Sequence, residues 1–182
     1  MTILTDRLEL RSSQIDFAEM AAAYYLRNAD FLAQYEPLRE PAFYTKEGQL
    51  KILQQEILQE KERTGIAFYL FLKDNPGQIA GKINLNNIVW GGFCSCFLGY
   101  KMEERLINSG YMTEAVSATA ACAFDTLHLH RIEANVMPRN LRSLRVLEKC
   151  GFENEGMSRK YLKIGGVWED HIHMVKLNEK IE

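Results

Sequence analysis

A polar turn containing Gly110 joins an apolar segment to an alanine-rich segment, and this junction could bind an anion. Residues 97–102 have the character of a buried strand, and residues 111–127 have high helix propensity. The first N–H groups of a helix lack intrahelical partners, and the helix dipole favours negative charge there. Gly110 tolerates a positive φ and lets a ligand approach the backbone closely. Arg105 could add a charge-assisted hydrogen bond to a phosphate. The junction predicts a pyrophosphate site, although an ordinary strand-to-helix connection has the same pattern.

A carboxylate lies within the next predicted strand. Glu133 shares one face with Asn135 and Met137, because side chains in a strand alternate with a period of two. A partly desolvated carboxylate would have a raised pKa, which suits a general base. The alternative is a structural ion pair with Arg131, and the residues alone leave both interpretations open.

The histidines give a weak metal signal. They form two pairs with i, i+2 spacing, His128 with His130 and His171 with His173, and a metal site would need both pairs to converge. The position of His128 is explained by a helix C-terminus, where a histidine interacts favourably with the helix dipole. His171 and His173 are explained as residues of a half-exposed sheet face. We therefore expect no metal.

The composition is that of a globular protein. The 182 residues are 47% hydrophobic and 25% charged with a net charge of -2, which predicts one domain over residues 1–182 and gives no strong case for nucleic acid binding. No signal-peptide pattern or membrane-length apolar run occurs, so no membrane partner is expected. Four scattered cysteines lack zinc spacing and predict reduced thiols in a cytoplasmic protein: Cys94, Cys96, Cys122 and Cys150.

Hydrophobic periodicity and turn residues predict an α/β mixed sheet. The predicted helices are 16–28, 30–35, 45–61, 111–127 and 141–150. The predicted strands are 7–11, 66–73, 78–90, 93–102, 131–137, 152–164 and 167–177. A strand, a helix and another strand in succession imply parallel pairing of the strands that flank helix 111–127. Ligands favour the carboxyl ends of such strands, near Met102 and Met137.

Four segments, in this order, resemble the GNAT N-acetyltransferases, in the branch of ribosomal-protein-alanine N-acetyltransferases. They are Leu-Gly-Tyr at 98–100, Arg-Leu-Ile-Asn-Ser-Gly-Tyr-Met-Thr-Glu-Ala at 105–115, the run from Asn140 to Phe152, and Gly-Gly-Val-Trp-Glu-Asp at 165–170. With Thr-Asp-Arg-Leu at 5–8, the resemblance covers nearly the whole chain. It implies a twisted, mostly antiparallel sheet of about seven strands with a splayed parallel pair, flanked by about four helices.

The resemblance also implies acetyl-CoA as the acyl donor. The pantetheine arm would pair with strand backbone in the gap between the splayed strands. Asn108 stands where the family usually has glycine, and Met112 stands where it commonly has alanine. Among residues other than glycine, asparagine best tolerates left-handed backbone angles. The implied cofactor-binding residues are Leu98, Tyr100, Met102, Arg105, Asn108, Ser109, Gly110, Tyr111, Met112, Thr113, Asn140 and Ser143.

The same resemblance implies catalytic roles. Ser143 would protonate the leaving thiolate, Glu133 would act as the base, and Tyr161 is a second candidate acid because other branches use a tyrosine. The N-terminal helices and their loop would form a wall that, with Trp168, limits acceptor size. The aromatic residues of that region are Tyr24, Tyr25, Phe31, Tyr35 and Phe43.

The predicted function is acetyl-CoA-dependent N-acetylation of a primary amine by direct transfer, with a protein N-terminal α-amine as the family-level acceptor. A small-molecule amine stays open, because fold does not fix substrate. Asn108 and Met112 keep a second hypothesis open, a non-catalytic acyl-CoA-binding or protein-interaction module. No Walker or dinucleotide-binding glycine pattern supports another nucleotide-binding enzyme. The sheet edge leaves a homodimer open.

Overall fold

The computed structural model describes residues 1–181, which form one sheet of eight strands with helices on both faces. The strands are β1 Thr2–Leu4, β2 Leu8–Ser12, β3 Ile66–Leu72, β4 Asn75–Val89, β5 Ser95–Met102, β6 Arg131–Val136, β7 Glu153–Ile164 and β8 Val167–Leu177. Their order is β1-β2-β3-β4-β5-β6-β8-β7. Every neighbouring pair is antiparallel except β5 and β6, which are parallel. The predicted mostly antiparallel sheet with one parallel pair is confirmed.

Five α-helices connect these strands. They are α1 Ala18–Arg27, α2 Ala29–Leu32, α3 Lys46–Glu62, α4 Tyr111–Ala121 and α5 Leu141–Lys149. A π-helical turn, Cys122–Thr126, extends α4 to nearly the length predicted for it. Thr45 caps α3 by accepting a hydrogen bond from the Gly48 N–H at 3.0 Å.

Alternating side chains give the sheet two apolar cores. In β3, Leu70 belongs to the core beneath α4 and α5, whereas its neighbour Phe71 packs with Tyr24 and Leu53 beneath α1 and α3. Small buried residues such as Ala115 let α4 approach the sheet closely. Burying one large side chain, such as that of Leu70 or Phe71, stabilises the fold by roughly 1.5–3 kcal/mol. The splayed strands are therefore held between two packed layers.

The parallel strands β5 and β6 pair only at their beginnings. Ser95, Cys96 and Phe97 lie opposite residues 131–133, and the described chain shows no β5–β6 pairing beyond Phe97 and Glu133. The carboxyl ends of the two strands therefore diverge, as expected, and leave a gap in the middle of the sheet.

The sheet differs from the prediction in two local details. The sheet has an eighth strand, β1, whose three residues are too few to give a periodic signal. The β3–β4 hairpin turns at Lys73 and Asp74, so β4 begins at Asn75, three residues earlier than predicted.

Glu103, in the turn after β5, is buried. Its backbone N–H donates to Ala80 O at 2.8 Å, which holds the turn against β4. Its carboxylate receives a bond from Arg27 Nε at 3.2 Å, which compensates the buried charge.

Candidate active site

A cavity of about 310 Å³ opens where β5 and β6 diverge. The end of β5, the loop before α4, the first turns of α4 and α5, and α2 with the loop after it surround the cavity. It is lined by Phe31, Leu32, Tyr35, Glu36, Tyr100, Lys101, Met102, Leu106, Ile107, Asn108, Gly110, Met112, Thr113, Asn140, Arg142, Ser143, Arg145, Val146 and Lys149. The predicted anion site and the predicted acceptor wall thus share one space.

The loop before α4 has the backbone geometry of an anion site. Gly110 has φ 81° at the N-cap of α4, and Asn108 has φ 61°, as expected of an asparagine in place of glycine. The first intrahelical bond runs from Glu114 N–H to Gly110 O at 3.1 Å, so the N–H groups of residues 111–113 have no intrahelical partner. These donors and the basic residues of α5 suit the phosphates of a coenzyme.

Arg7 fixes this loop from the N-terminal end of the chain. Its Nη1 donates to Ser109 O at 2.9 Å and its Nε donates to Glu114 Oε2 at 2.7 Å. Its guanidinium also lies 4.3 Å from the centre of the Tyr111 ring. This role was not predicted from the sequence, although the Asp-Arg-Leu motif was part of the resemblance.

Glu114 connects the same segment to α4. Its carboxylate accepts hydrogen bonds from Thr5 Oγ1 at 2.6 Å and from Arg7 N–H at 2.8 Å. Burial alone would raise the pKa of this carboxyl group, but the bonds from Thr5 and Arg7 outweigh burial and lower it. Glu114 is therefore ionised at neutral pH.

Eight of the twelve predicted cofactor residues line the cavity. They are Tyr100, Met102, Asn108, Gly110, Met112, Thr113, Asn140 and Ser143. Leu98 is 6% exposed in the core, and the Tyr111 ring lies under Arg7. Ser109 contributes its carbonyl to Arg7, and Arg105 pairs with Glu103 at 2.6 Å instead of pointing toward the loop. The phosphate contact of Arg105 stays a prediction.

Ser143 is held in the cavity by α5 and β5. Asn140 caps α5 by accepting a hydrogen bond from Ser143 N–H at 3.2 Å, as predicted from its position. The Ser143 Oγ lies 2.7 Å from the Tyr100 hydroxyl oxygen. Burial raises the pKa of Tyr100 although its bond to Ser143 lowers it, so this phenol stays protonated. Two neutral hydroxyl groups can thus donate a proton in sequence.

The expected raised pKa of Glu133 is wrong. Burial acts in that direction, but hydrogen bonds from His173 and Arg131 outweigh it and lower the pKa. The Glu133 Oε1 lies 2.8 Å from His173 Nδ1, and Arg131 Nη2 donates to Oε2 at 3.1 Å. The alternative interpretation, a structural ion pair with Arg131, is therefore present, and the role of Glu133 as a base stays a prediction.

The opposite wall of the cavity comes from α2 and the loop after it. Phe31 and Tyr35 line the cavity, whereas Tyr24 and Tyr25 belong to the core. Arg142 Nη2 donates to the Tyr35 hydroxyl at 3.2 Å.

Charged groups complete this wall. Glu36 forms an ion pair with Lys101 of β5, and neither residue was predicted from the sequence to line the site.

The remaining predicted features lie outside this cavity. Phe43 packs against Tyr25 with a ring separation of 4.6 Å, and Trp168 is exposed on the β7–β8 hairpin. His171 is buried rather than half-exposed. Residues 1–181 contain no group of three or more His, Cys, Asp or Glu arranged for a metal ion. No helix in this part of the chain has the length and apolarity needed to cross a membrane.

Comparison with known proteins agrees with this geometry. Residues 7–153 match the acetyltransferase (GNAT) domain. The chain is 38% identical over 171 residues to the [Ribosomal protein uS5]-alanine N-acetyltransferase of Escherichia coli, covering 93% of this chain and 87% of that protein.

Two solved structures have the same fold. The ribosomal-protein-S5-alanine acetyltransferase of Vibrio fischeri superposes with a TM-score of 0.95 at 34% identity, covering 100% of this chain and 99% of that one. RimJ of Mycobacterium smegmatis, in complex with CoA-disulfide, superposes with a TM-score of 0.89 at 25% identity, covering 96% and 83%. The chain therefore belongs to the GNAT family, as an N-acetyltransferase whose acyl donor is acetyl-CoA.

Proposed function

We propose that this enzyme acetylates the α-amine of a protein N-terminus, with alanine as the first residue. The observation that carries the proposal is that one cavity is lined both by the loop at Gly110 and by the wall at Phe31 and Tyr35. The relative from Escherichia coli is named for an alanine acceptor on a ribosomal protein, which supports the same acceptor class here. A cytoplasmic location stays a prediction. A homodimer stays a prediction.

The residues of the gap suit direct transfer between the two substrates. The donors of residues 111–113 and the Asn140 side chain would hold the coenzyme, and its thioester supplies the activated acetyl group. Ser143 would donate a proton to the departing thiolate and be reprotonated through Tyr100. Glu133 lies at the divergence point of the strands and would take part in deprotonating the amine.

A small-molecule amine is the second candidate acceptor. The charged groups around the wall, Glu36 with Lys101 and Arg142 with Tyr35, could also bind a polar small substrate. A peptide differs because it must leave the cavity through an open end, so its later residues would affect KM. Acceptor length therefore separates the two candidates.

The test begins with calorimetric titration of acetyl-CoA, coenzyme A and desulfo-coenzyme A. Micromolar binding of acetyl-CoA would then justify measuring thiol release with peptides that begin with Ala, Ser or Met, and with free alaninamide. We expect the highest kcat/KM for the alanine peptide and no rate for the same peptide already acetylated at its N-terminus. Binding without turnover would favour a non-catalytic module, and equal kcat/KM for alaninamide and the peptide would contradict a protein acceptor.

A further inference from the structure

The lining of the cavity has an excess of positive charge. It includes one carboxylate, that of Glu36, and the cationic side chains of Lys101, Arg142, Arg145 and Lys149. Lys101 is neutralised by its ion pair with Glu36. The other three cations, all on α5, form no ion pair with any residue in the described range 1–181. They are therefore available to anionic groups of the substrates.

The end of α5 lies beside the loop that is predicted to bind the coenzyme phosphates. The thiol of Cys150, the residue after α5, donates to Thr113 O in the first turn of α4 at 3.4 Å. Arg145 and Lys149 line the cavity from the part of α5 that leads to this contact. Helix N-terminal N–H groups and cations together suit phosphates, so these two side chains belong to the coenzyme side of the cavity.

The start of α5 lies beside the acceptor wall. Arg142 Nη2 donates to the Tyr35 hydroxyl at 3.2 Å, and the Arg142 guanidinium is 5.7 Å from the centre of the Phe31 ring. Arg142 precedes Lys149 by seven residues, a distance of about 10 Å along a helix axis. A guanidinium has five N–H donors, and Tyr35 uses one of them. Arg142 is therefore a hydrogen-bond donor with spare capacity on the acceptor side.

The position of Arg142 within α5 favours an anion further. It is the second residue of the helix, and residues 141–144 include no acidic side chain. A cation in the first turn is unfavourable for the helix itself, because the N-terminal end of the helix dipole is also positive. An anion bound there would interact favourably with both the guanidinium and the dipole. The residue type thus suits a bound anion better than it suits the stability of α5.

We propose that Arg142 binds a carboxylate of the acceptor, supplied by an acidic side chain among the first residues after the N-terminal alanine. The planar guanidinium matches a carboxylate with two parallel hydrogen bonds. Tyr35 is a positioning residue, because its hydroxyl oxygen holds the guanidinium against the acceptor wall. The inference rests on the proposed function, since it needs a peptide acceptor.

The first test compares alanine peptides that differ only in having Glu or Gln at position 2, 3 or 4, at saturating acetyl-CoA. At the position that reaches Arg142, we expect kcat/KM to be roughly 10-fold higher for the glutamate peptide, the usual effect of a hydrogen bond to a charged group. The difference should lie in KM rather than in kcat. It should also shrink as salt is added, because salt screens exposed charges.

Variants of α5 separate the acceptor side from the coenzyme side. Arg142→Gln should bring the ratio of kcat/KM for the Glu and Gln peptides to within twofold, and Arg142→Glu should favour a lysine peptide over the glutamate peptide. The matched control is Arg145→Gln, which removes the same charge one turn further along α5. It should preserve the Glu to Gln ratio and raise the acetyl-CoA Kd. Tyr35→Phe should give an intermediate ratio.

Two results would overturn the inference while the proposed function stands. One is a Glu to Gln ratio within twofold at all three positions in the wild-type enzyme, and the other is a ratio that Arg142→Gln leaves unchanged. In both cases the peptides are still acetylated.

Failure of the proposed function would give a different result. Equal kcat/KM for alaninamide and every peptide would contradict a protein acceptor, and the inference with it. If free alanine is acetylated faster than alaninamide and Arg142→Gln removes that difference, the bound carboxylate belongs to a free amino acid. That result would also overturn the assignment to a peptide side chain.

Discussion

The Arg7 guanidinium donates a hydrogen bond through Nη1 to the carbonyl oxygen of Ser109, at 2.9 Å. These residues are 102 positions apart in the chain, yet the bond joins the residue just before β2 to the loop at the gap. With the Glu114 carboxylate on the same arginine, it restricts the loop before any ligand binds. The N-terminal segment therefore supports the loop that is predicted to bind the coenzyme.

Gly110 is the first position to test in this loop. A Cβ there would lie 3.3 Å from Arg7 Nη2, and the φ of 81° is unfavourable for other residues by about 1–2 kcal/mol. Gly110→Val should weaken acetyl-CoA binding at least 10-fold, on the order of that strain, in a protein that still folds. Calorimetry checks this, with Gly92→Val as the control because no atom lies within 4 Å of its Cβ. Equal affinity in both variants would contradict the pyrophosphate assignment.

Glu114 gives a prediction for acid stability. Its folded-state pKa is lowered, so it stabilises the fold above the unfolded value of about 4.3 and ceases to do so as pH falls through the folded value. Glu114→Gln should lower the free energy of unfolding at pH 7 by about 1–2 kcal/mol, and the difference from wild type should shrink in acid. Urea titrations at several pH values measure this. The exposed Glu62→Gln is the control, and a difference independent of pH would be inconsistent with the ion pair.

Ser143 should act on the leaving thiolate. Ser143→Ala should lower kcat by roughly 10–100-fold while acetyl-CoA affinity stays within threefold, because the Asn140 cap uses the backbone of residue 143. Tyr100→Phe should have a smaller effect, since it leaves the serine hydroxyl in place. Steady-state thiol release measures both rates. An unchanged kcat in Ser143→Ala would remove this residue from the mechanism.

Phe31 should affect the acceptor rather than the coenzyme. It lines the cavity beneath Arg142, whose guanidinium is 5.7 Å from its ring centre. Phe31→Ala should raise KM for the alanine peptide by roughly 10-fold, as expected for loss of an aromatic contact, and leave the acetyl-CoA Kd unchanged. The matched control is Phe93→Ala, at an exposed ring of the β4–β5 turn. A change in the acetyl-CoA Kd alone would place Phe31 on the coenzyme side.

Features that depend on local sequence were predictable. Asn108 and Gly110 have left-handed backbone angles because their residue types tolerate them, and Asn140 caps α5 because a short polar side chain precedes an amphipathic segment. The parallel pairing of β5 and β6 was predicted because a strand, a helix and another strand follow one another in the chain.

Features that depend on distant residues were not predictable. The lowered pKa of Glu133 depends on His173 as well as on Arg131, and His173, 40 residues away, lies near Glu133 through the β6–β8 pairing. Burial of Glu103 likewise depends on Arg27 of α1, 76 residues earlier. Neither partner has a spacing signal, because strand register across a sheet is set by tertiary packing.

The gap between β5 and β6 makes the stability of this fold depend on metabolite concentration. Two interior strands diverge beyond Phe97 and Glu133, so their facing backbone groups must bond to water or to a ligand. A ligand bound only by the folded chain adds about 2.7 kcal/mol at one hundred times its Kd. The folded population, and with it resistance to proteolysis, therefore rises and falls with the supply of acetyl-CoA.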